Sequence, residues 1–340
     1  MSDNGISLRS LHRPLVVLTG AMAVLCVVAL VGLLVDGRTI VNAPIWLKPF
    51  KFTVSIGSYA ITLALLLTRV RRGSRVGWWL GTLFTVGIGT DMALIVFQMI
   101  FRGRQLHFNK ATPADIAINN VVAGGAYLAW LSIAAVVVLL LFQRMPDRAL
   151  NSALRWGTGL SLAGMAVAML MFSPTPEQHA VLQEGKKPPT FGAHSVGASD
   201  GGPGLPLLGW STQGGDLRIP HFVGIHAIQV LPLIALGLIV LARRYPLLRS
   251  DVRRRWVVRI AVFGYTGVFA ILTWQAMRGQ SVVNPDVRTL LAAAAVVAVT
   301  VALTVLALRA REAGPLGENR DARGTSRDRE PVPADFRERR

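Results

Sequence analysis

Pro14 to Val35 reads PLVVLTGAMAVLCVVALVGLLV, 22 residues without a charged side chain. About 20 consecutive apolar residues carry an α-helix across the hydrocarbon core of a bilayer. A helix also satisfies its own backbone hydrogen bonds where no water is present. This block decides the fold class: an all-α, polytopic membrane protein.

Seven further blocks follow, at Phe52–Thr68, Val76–Phe101, Val121–Phe142, Trp156–Phe172, Phe222–Ala242, Val257–Met277 and Thr289–Leu308, so about eight transmembrane helices are expected. The second and fifth blocks are short. The second lengthens through Ile45, Trp46 and Leu47 at the cost of taking in Lys48 and Lys51, whose stems can reach an interface. The transmembrane domain then covers residues 14–309, between an N-terminal segment 1–13 and a tail 310–340. Ala21-Met22-Ala23 has the form of a signal cleavage site, but it lies mid-way in an apolar run that continues to Val35. The first block therefore reads as an uncleaved anchor.

Composition supports this class. Of 340 residues, 52% are hydrophobic, in long blocks where a soluble chain would disperse them. The formal charge of +18 would suggest nucleic acid in a soluble protein, but here the cations flank apolar blocks and set topology. Nucleic acid is therefore not an expected partner; the lipid bilayer is. Cys26 is the single cysteine, so no intrachain disulfide forms. It reads as a packing or lipid-facing residue.

Twenty-five of the 36 Lys and Arg fall on the side of the N-terminus, the even-numbered loops and the tail. The cation-rich side faces the cytoplasm, which places both termini inside a plasma membrane. Ser173–Ile219 then forms a 47-residue exported loop with nine glycines, a composition that favours turns. Loops of this length act as lids or lack fixed structure. The tail, with mixed charge, Pro and Gly, is expected to be disordered.

Two helix ends resemble each other. Phe97-Gln98, Arg102-Gly103, Gln105 and Asn109 follow the same order as Trp274-Gln275, Arg278-Gly279, Gln280 and Asn284. The spans involved are four apart, which suggests a tandem 4+4 repeat of residues 14–143 and 155–309 about an axis along the membrane normal. Arg in a last helical turn and Gly beyond it also arise independently as a C-terminal cap.

Asp91 carries the strongest chemical signal. It lies ten residues before the outer end of its span, about 15 Å deep at 1.5 Å per residue. A carboxylate at that depth costs at least about 2.5 kcal/mol and needs a partner, a proton or water. Gln98 and Arg102 follow at i+7 and i+11, on the same face of an ideal helix. Gln275 and Arg278 would meet them across the pseudo-axis.

The densest polar entry into the membrane runs from Gly214 to Gln229 and holds His221, His226 and Gln229. Five residues between the two histidines rotate the helix by about 140°, whereas helical metal pairs use i+4. A ligand set on His226 would need another element, such as the loop bearing His107. His12, His179 and His194 lie in segments expected to be solvated. Lys48 and Lys51, among three aromatics, read as an interfacial anchor or as cations for an anionic ligand.

No phosphate-binding Gly-Lys loop, Cys-x-x-Cys, His-Glu-x-x-His, Gly-x-Ser-x-Gly or Cys-x-x-Cys-His is present. The entry Trp46-Leu47-Lys48-Pro49-Phe50-Lys51-Phe52, the loop Arg102-Gly103-Arg104-Gln105-Leu106-His107-Phe108-Asn109 and the entry from Gly214 to Ala227 together resemble a group of uncharacterised multi-pass membrane proteins of high-GC bacteria. That resemblance covers roughly residues 40–285 and implies no activity, cofactor or catalytic residue.

The leading functional expectation is a transporter-like protein. It would handle a small solute or ion at a polar site near the outer face, with Asp91 central, Lys51, His107, His221, His226 and Gln229 lining the site, and Gln98, Arg102, Gln275 and Arg278 towards its mouth. No cofactor is required by this reading. The rivals are a membrane oxidoreductase or haem/metal protein built on His226, and a non-catalytic sensor or partner subunit.

Overall fold

In the computed structural model, residues 10–143 and 145–309 are described. The expected tail 310–340 and residues 1–9 lie outside them. Among the described residues, eight helices are long and apolar enough to cross a membrane, as expected of a multi-pass membrane protein.

Helix α1 spans Arg13–Val35 and begins on His12, whose Nδ1 accepts the Leu15 N–H at 3.2 Å. That leaves the His12 proton on Nε2, which donates to the Trp78 carbonyl at 2.9 Å. His12 is 6% exposed, contrary to the solvated setting expected, because it pins the start of α1 to the third span.

A short antiparallel ladder, β1 (Thr39–Ile40) and β2 (Ala43–Pro44), then reverses the chain. Helix α2 spans Leu47–Leu67 and takes in both lysines. Helix α3 spans Ser74–Val96 and runs into a π-helical turn over Phe97–Phe101. Helix α4 (Pro113–Leu141) is capped by Thr112, and α5 (Arg148–Leu170) by Asp147. Their caps start both helices well before the apolar blocks begin.

The long loop has fixed structure. It contains a short helix, α6 (Pro176–Gln183), closed by a Thr175–Gln178 capping box. It also holds the antiparallel pair β3 (Ser195–Val196) and β4 (Gly215–Asp216). Helices α7 (Arg218–Leu241), α8 (Asp251–Met277) and α9 (Val287–Arg309) complete the bundle.

The helices pack most heavily as α1 with α2, α3 with α4, α5 with α7 and α8 with α9. Close approach is bought with small residues, as in many membrane bundles. A side chain at Gly164 would collide with the backbone of Gly224, and one at Gly87 would meet the Gly125 carbonyl at 2.6 Å. Helices α5 and α7 are therefore locked backbone to backbone, and so are α3 and α4.

The two similar helix ends form the same device. Gln98 Nε2 donates to the Gln105 carbonyl at 3.3 Å, and Gln275 Nε2 to the Ser281 carbonyl at 2.9 Å. Gly103 and Gly279 both turn the chain at positive φ, 62° and 69°. Arg102 then pairs with Asp115 at the start of α4, and Arg278 with Asp286, which caps α9. In each case a helix exit is clipped to the next helix entry, which accounts for the shared glutamines as well as the Arg-Gly pair.

Candidate functional site

Beneath the long loop lies a chamber of about 540 Å³, walled by α2, α3, α4, α5 and α7. The size is that of a small-molecule site. Its mouth is polar: Lys48 and Lys51 from α2, His107 from the α3–α4 loop, His194 and Asp200 from the long loop, Arg218 and His221 from α7. Its interior is mostly apolar and aromatic, with Ile56, Tyr59, Phe84, Ile88, Trp130, Met165 and Ile225 among the lining side chains. Asp91 lines it too.

Hydrogen-bond partners fix the histidine protons at the mouth. Lys48 Nζ lies 2.7 Å from His107 Nδ1. An ammonium only donates, so Nδ1 accepts and the His107 proton sits on Nε2. His194 Nδ1 donates to Asp200 Oδ2 at 2.8 Å, and His221 Nδ1 donates to the Gly164 carbonyl at 2.8 Å. Both therefore carry their lone pair on Nε2. Burial, with Lys48 close by, pushes the His107 pKa well below its usual value. Burial also lowers that of His194, opposed by the Asp200 carboxylate. Asp200 itself is held below the carboxylate range: burial would raise its pKa, but the hydrogen bonds it accepts from the His194 ring and backbone and from Ser195 outweigh it.

The two acids near the mouth are committed. Asp216, 1% exposed, accepts from Arg218 Nε at 2.9 Å and Nη2 at 2.6 Å, and from the Ser211 N–H at 2.8 Å. Asp200 accepts from His194 and from the Ser195 N–H at 2.9 Å. Lys51 Nζ reaches the Leu208 carbonyl at 2.6 Å. Among the described residues neither Lys48 nor Lys51 has a carboxylate in ion-pair contact; their bonds are to His107 and Leu208.

Deeper in, Asp91 is 7% exposed and its Oδ1 has no hydrogen-bond partner among the described residues. It packs against Gly125, where a β-carbon would collide with the carboxylate. The sequence thus clears room for this side chain on the facing helix. Tyr59 donates to or accepts from Ser161 across the bundle at 2.8 Å and stacks on Phe84 at 5.3 Å.

The structure gathers Asp91, Lys51, His107 and His221 around one space. It does not bring the other expected residues there. Gln98 and Arg102 are not on the chamber wall, because the π-turn adds a residue to the helical repeat and swings them away from the face of Asp91. Gln98 donates to Asp115 Oδ1 at 2.8 Å, and Arg102 donates to Gln98 Oε1 at 2.7 Å. Gln275 and Arg278 serve the α8–α9 turn, with Arg278 also over the Trp274 ring at 4.3 Å. They do not meet Gln98 and Arg102.

His226 lies behind the wall. Its Nε2 faces Ser55 Oγ at 3.2 Å and its ring stacks on Phe222 at 6.2 Å; Gln229, one turn further, does not line the chamber. Among the described residues no three His, Cys, Asp or Glu side chains are grouped so as to hold a metal ion.

His194, Asp200 and Arg218 were not singled out in the sequence. His194 was expected in solvent, yet its side chain is 17% exposed and lines the chamber. His179 is exposed, as expected. Comparison with protein-family models, curated proteins and solved structures gives no match to this chain.

Proposed function

We propose that this chain is a solute-handling, transporter-like membrane protein whose site is the chamber beneath the long loop and whose ligand carries an anionic group. One observation carries the reading: Lys48 and Lys51 stand half-buried at the chamber mouth, and among the described residues neither has a carboxylate in ion-pair contact. Withdrawing a cation from water costs several kcal/mol unless an opposite charge is supplied. Asp216 is neutralised by Arg218; Asp200, hydrogen-bonded to a neutral His194, offsets part of the lysine charge without ion-pair contact, and an anion from outside the chain balances the rest. Asp91, in the apolar part of the same chamber, is the group suited to carry a proton or bind a coupling cation.

The cation asymmetry of the loops supports a mouth at the non-cytoplasmic face of a plasma membrane, with both termini in the cytoplasm. The matched turns at Gln98–Asp115 and Gln275–Thr289 support a tandem 4+4 repeat.

Orientation is tested in a Cys26→Ala background. Ser199 is exposed on the long loop. Cysteine at Ser199 should react with a membrane-impermeant thiol reagent added outside cells, and cysteine at Ser326 should not. The opposite pattern moves the chamber to the cytoplasm. Function is tested by calorimetry on the purified full chain with methyl phosphate, acetate and methanesulfonate. At least one should bind, and Lys51→Gln should weaken it tenfold or more without lowering the melting temperature. Asp91→Asn should keep both fold and anion binding but abolish uptake driven by a pH gradient in vesicles. If the wild-type chain binds none of the three anions, the proposal fails.

A further inference from the structure

We infer that the chamber takes a single-chain amphiphile with a phosphate-type head, and that the tail enters sideways from the bilayer between α4 and α5. The inference rests on the anion-site reading above and adds a substrate class and a route.

The head follows from charge. Among the described residues neither Lys48 nor Lys51 has a carboxylate in ion-pair contact, while Arg218 beside them is paired with Asp216. A phosphate monoester carries about −1.5 to −2 at neutral pH and offers three acceptor oxygens. It would reach both ammonium groups, and the Nε2–H of His107 offers one further donor.

The tail follows from depth and lining. From Lys48 at the mouth to Tyr59 in the interior is eleven residues of α2, about 16 Å at 1.5 Å per residue. Half the hydrocarbon core of a bilayer is about 15 Å. The chamber is thus about one leaflet deep, polar at its mouth and apolar below, the profile of a lipid in a leaflet. A small hydrophilic anion has no use for a deep chamber walled by Ile56, Phe84, Ile88 and Met165.

The route follows from the fork between α4 and α5. The two helices are joined by a short turn at the end opposite the long loop, and Trp130 Nε1 donates across to the Leu162 carbonyl at 3.3 Å. On the loop side of that bond the chamber lies between them, lined by Ala126 and Tyr127 on one side and Met165, Ala168 and Met169 on the other. Ala126 is exposed and Tyr127 is 51% exposed although both line the chamber, so the chamber reaches the flank of the bundle there. In a bilayer that flank meets acyl chains, and a tail can slide in while its head stays at the interface.

The test compares dodecyl phosphate, methyl phosphate and dodecyl maltoside as ligands of the full chain in a neutral, bulky-headed sterol detergent, by titration calorimetry below micelle concentrations. Dodecyl phosphate is expected to bind at least 100-fold more tightly than methyl phosphate and tenfold more tightly than dodecyl maltoside. Lys51→Gln should weaken both phosphates. Ala126→Trp, at an exposed position, should plug the fork and slow dodecyl phosphate association tenfold or more, read by stopped-flow intrinsic fluorescence, while leaving methyl phosphate affinity unchanged. Equal affinity for the two phosphates overturns the amphiphile and leaves the anion site standing. Equal affinity for dodecyl maltoside overturns the charged head. Tight dodecyl phosphate binding whose association rate Ala126→Trp does not change overturns the sideways route. Binding of neither phosphate removes this inference, and acetate and methanesulfonate then decide separately whether an anion site remains.

Discussion

Two clusters of cations lie at the loop end of the bundle and differ in one respect. Around Asp115, Gln98 donates at 2.8 Å, Arg102 at 3.2 Å, Arg104 at 2.5 Å and Thr112 at 2.7 Å, and the carboxylate is wholly buried. There the negative charge is surrounded by donors from α3, the following loop and the start of α4. At the chamber mouth Lys48 and Lys51 lean on a histidine and a carbonyl instead. The first cluster is closed upon itself and joins two helices. The second has room and charge left over. Residue type does not separate them, since both are built from cations, carboxylates and neutral hydrogen-bonding side chains. What separates them is whether each charge already has its partner.

Removing the centre of the closed cluster should give the largest effect. Asp115→Ala leaves Arg102 and Arg104 facing each other without an anion. Losing one partner of a buried pair costs about 3–5 kcal/mol. Because Arg102 and Arg104 are 25% and 37% exposed, water relieves part of this and the lower end is expected. Thermal unfolding in detergent should show it, and an unchanged melting temperature would dissolve the contrast between the clusters. Gln98→Leu should cost about 1–3 kcal/mol, the desolvation penalty of the stranded loop carbonyl and carboxylate. Gln275→Leu should cost a similar amount if the two turns are the same device, and a null result there would break the parallel.

Acid should act mainly on the open cluster. His107 and His194 have pKa values lowered in the folded chain, so below their ordinary value the unfolded chain binds more protons. Their contribution to stability is fully present above about pH 6.5. It is lost as pH falls below that value. The melting temperature should therefore decline from pH 7 to pH 5, and His107→Gln should flatten the decline. The smallest effect is reserved for Lys51→Met, which should leave stability unchanged or slightly raised while anion binding disappears. A clear loss of stability would show that the mouth is also a closed cluster.

The apolar blocks alone disclosed the eight spans, because helices in lipid are written in uninterrupted stretches that need no long-range information. Asp91 was legible for the same reason, as a charge where none is cheap. The mouth was harder to see. His194 and Asp200 belong to a glycine-rich loop whose polar composition resembles that of any solvated segment, and only the fold of that loop over the bundle brings them to the chamber. Asp115 had a local signal, Thr112 three residues ahead of it at a helix start. Its role as anchor for Arg102 and Arg104 depends on the π-turn, which leaves no trace in apolar periodicity. The stripe expected from Asp91 through Gln98 to Arg102 failed at that turn, since face arithmetic holds only while the helix keeps 3.6 residues per turn.

The contact of Gly164 with Gly224 has a mechanical consequence. With no side chain between them, the backbones of α5 and α7 behave as one beam, and the hydrogen bond from His221 to the Gly164 carbonyl bolts the chamber mouth to the same point. Any cycle that opens and closes the chamber must leave this beam intact and move the opposite wall. The parts left to move are then α2, which carries the two lysines, and the locked α3–α4 pair, tied to α5 by the Trp130 bond about mid-way along α4. The lysines would travel with the moving wall while Arg218 and His221 stay with the fixed one.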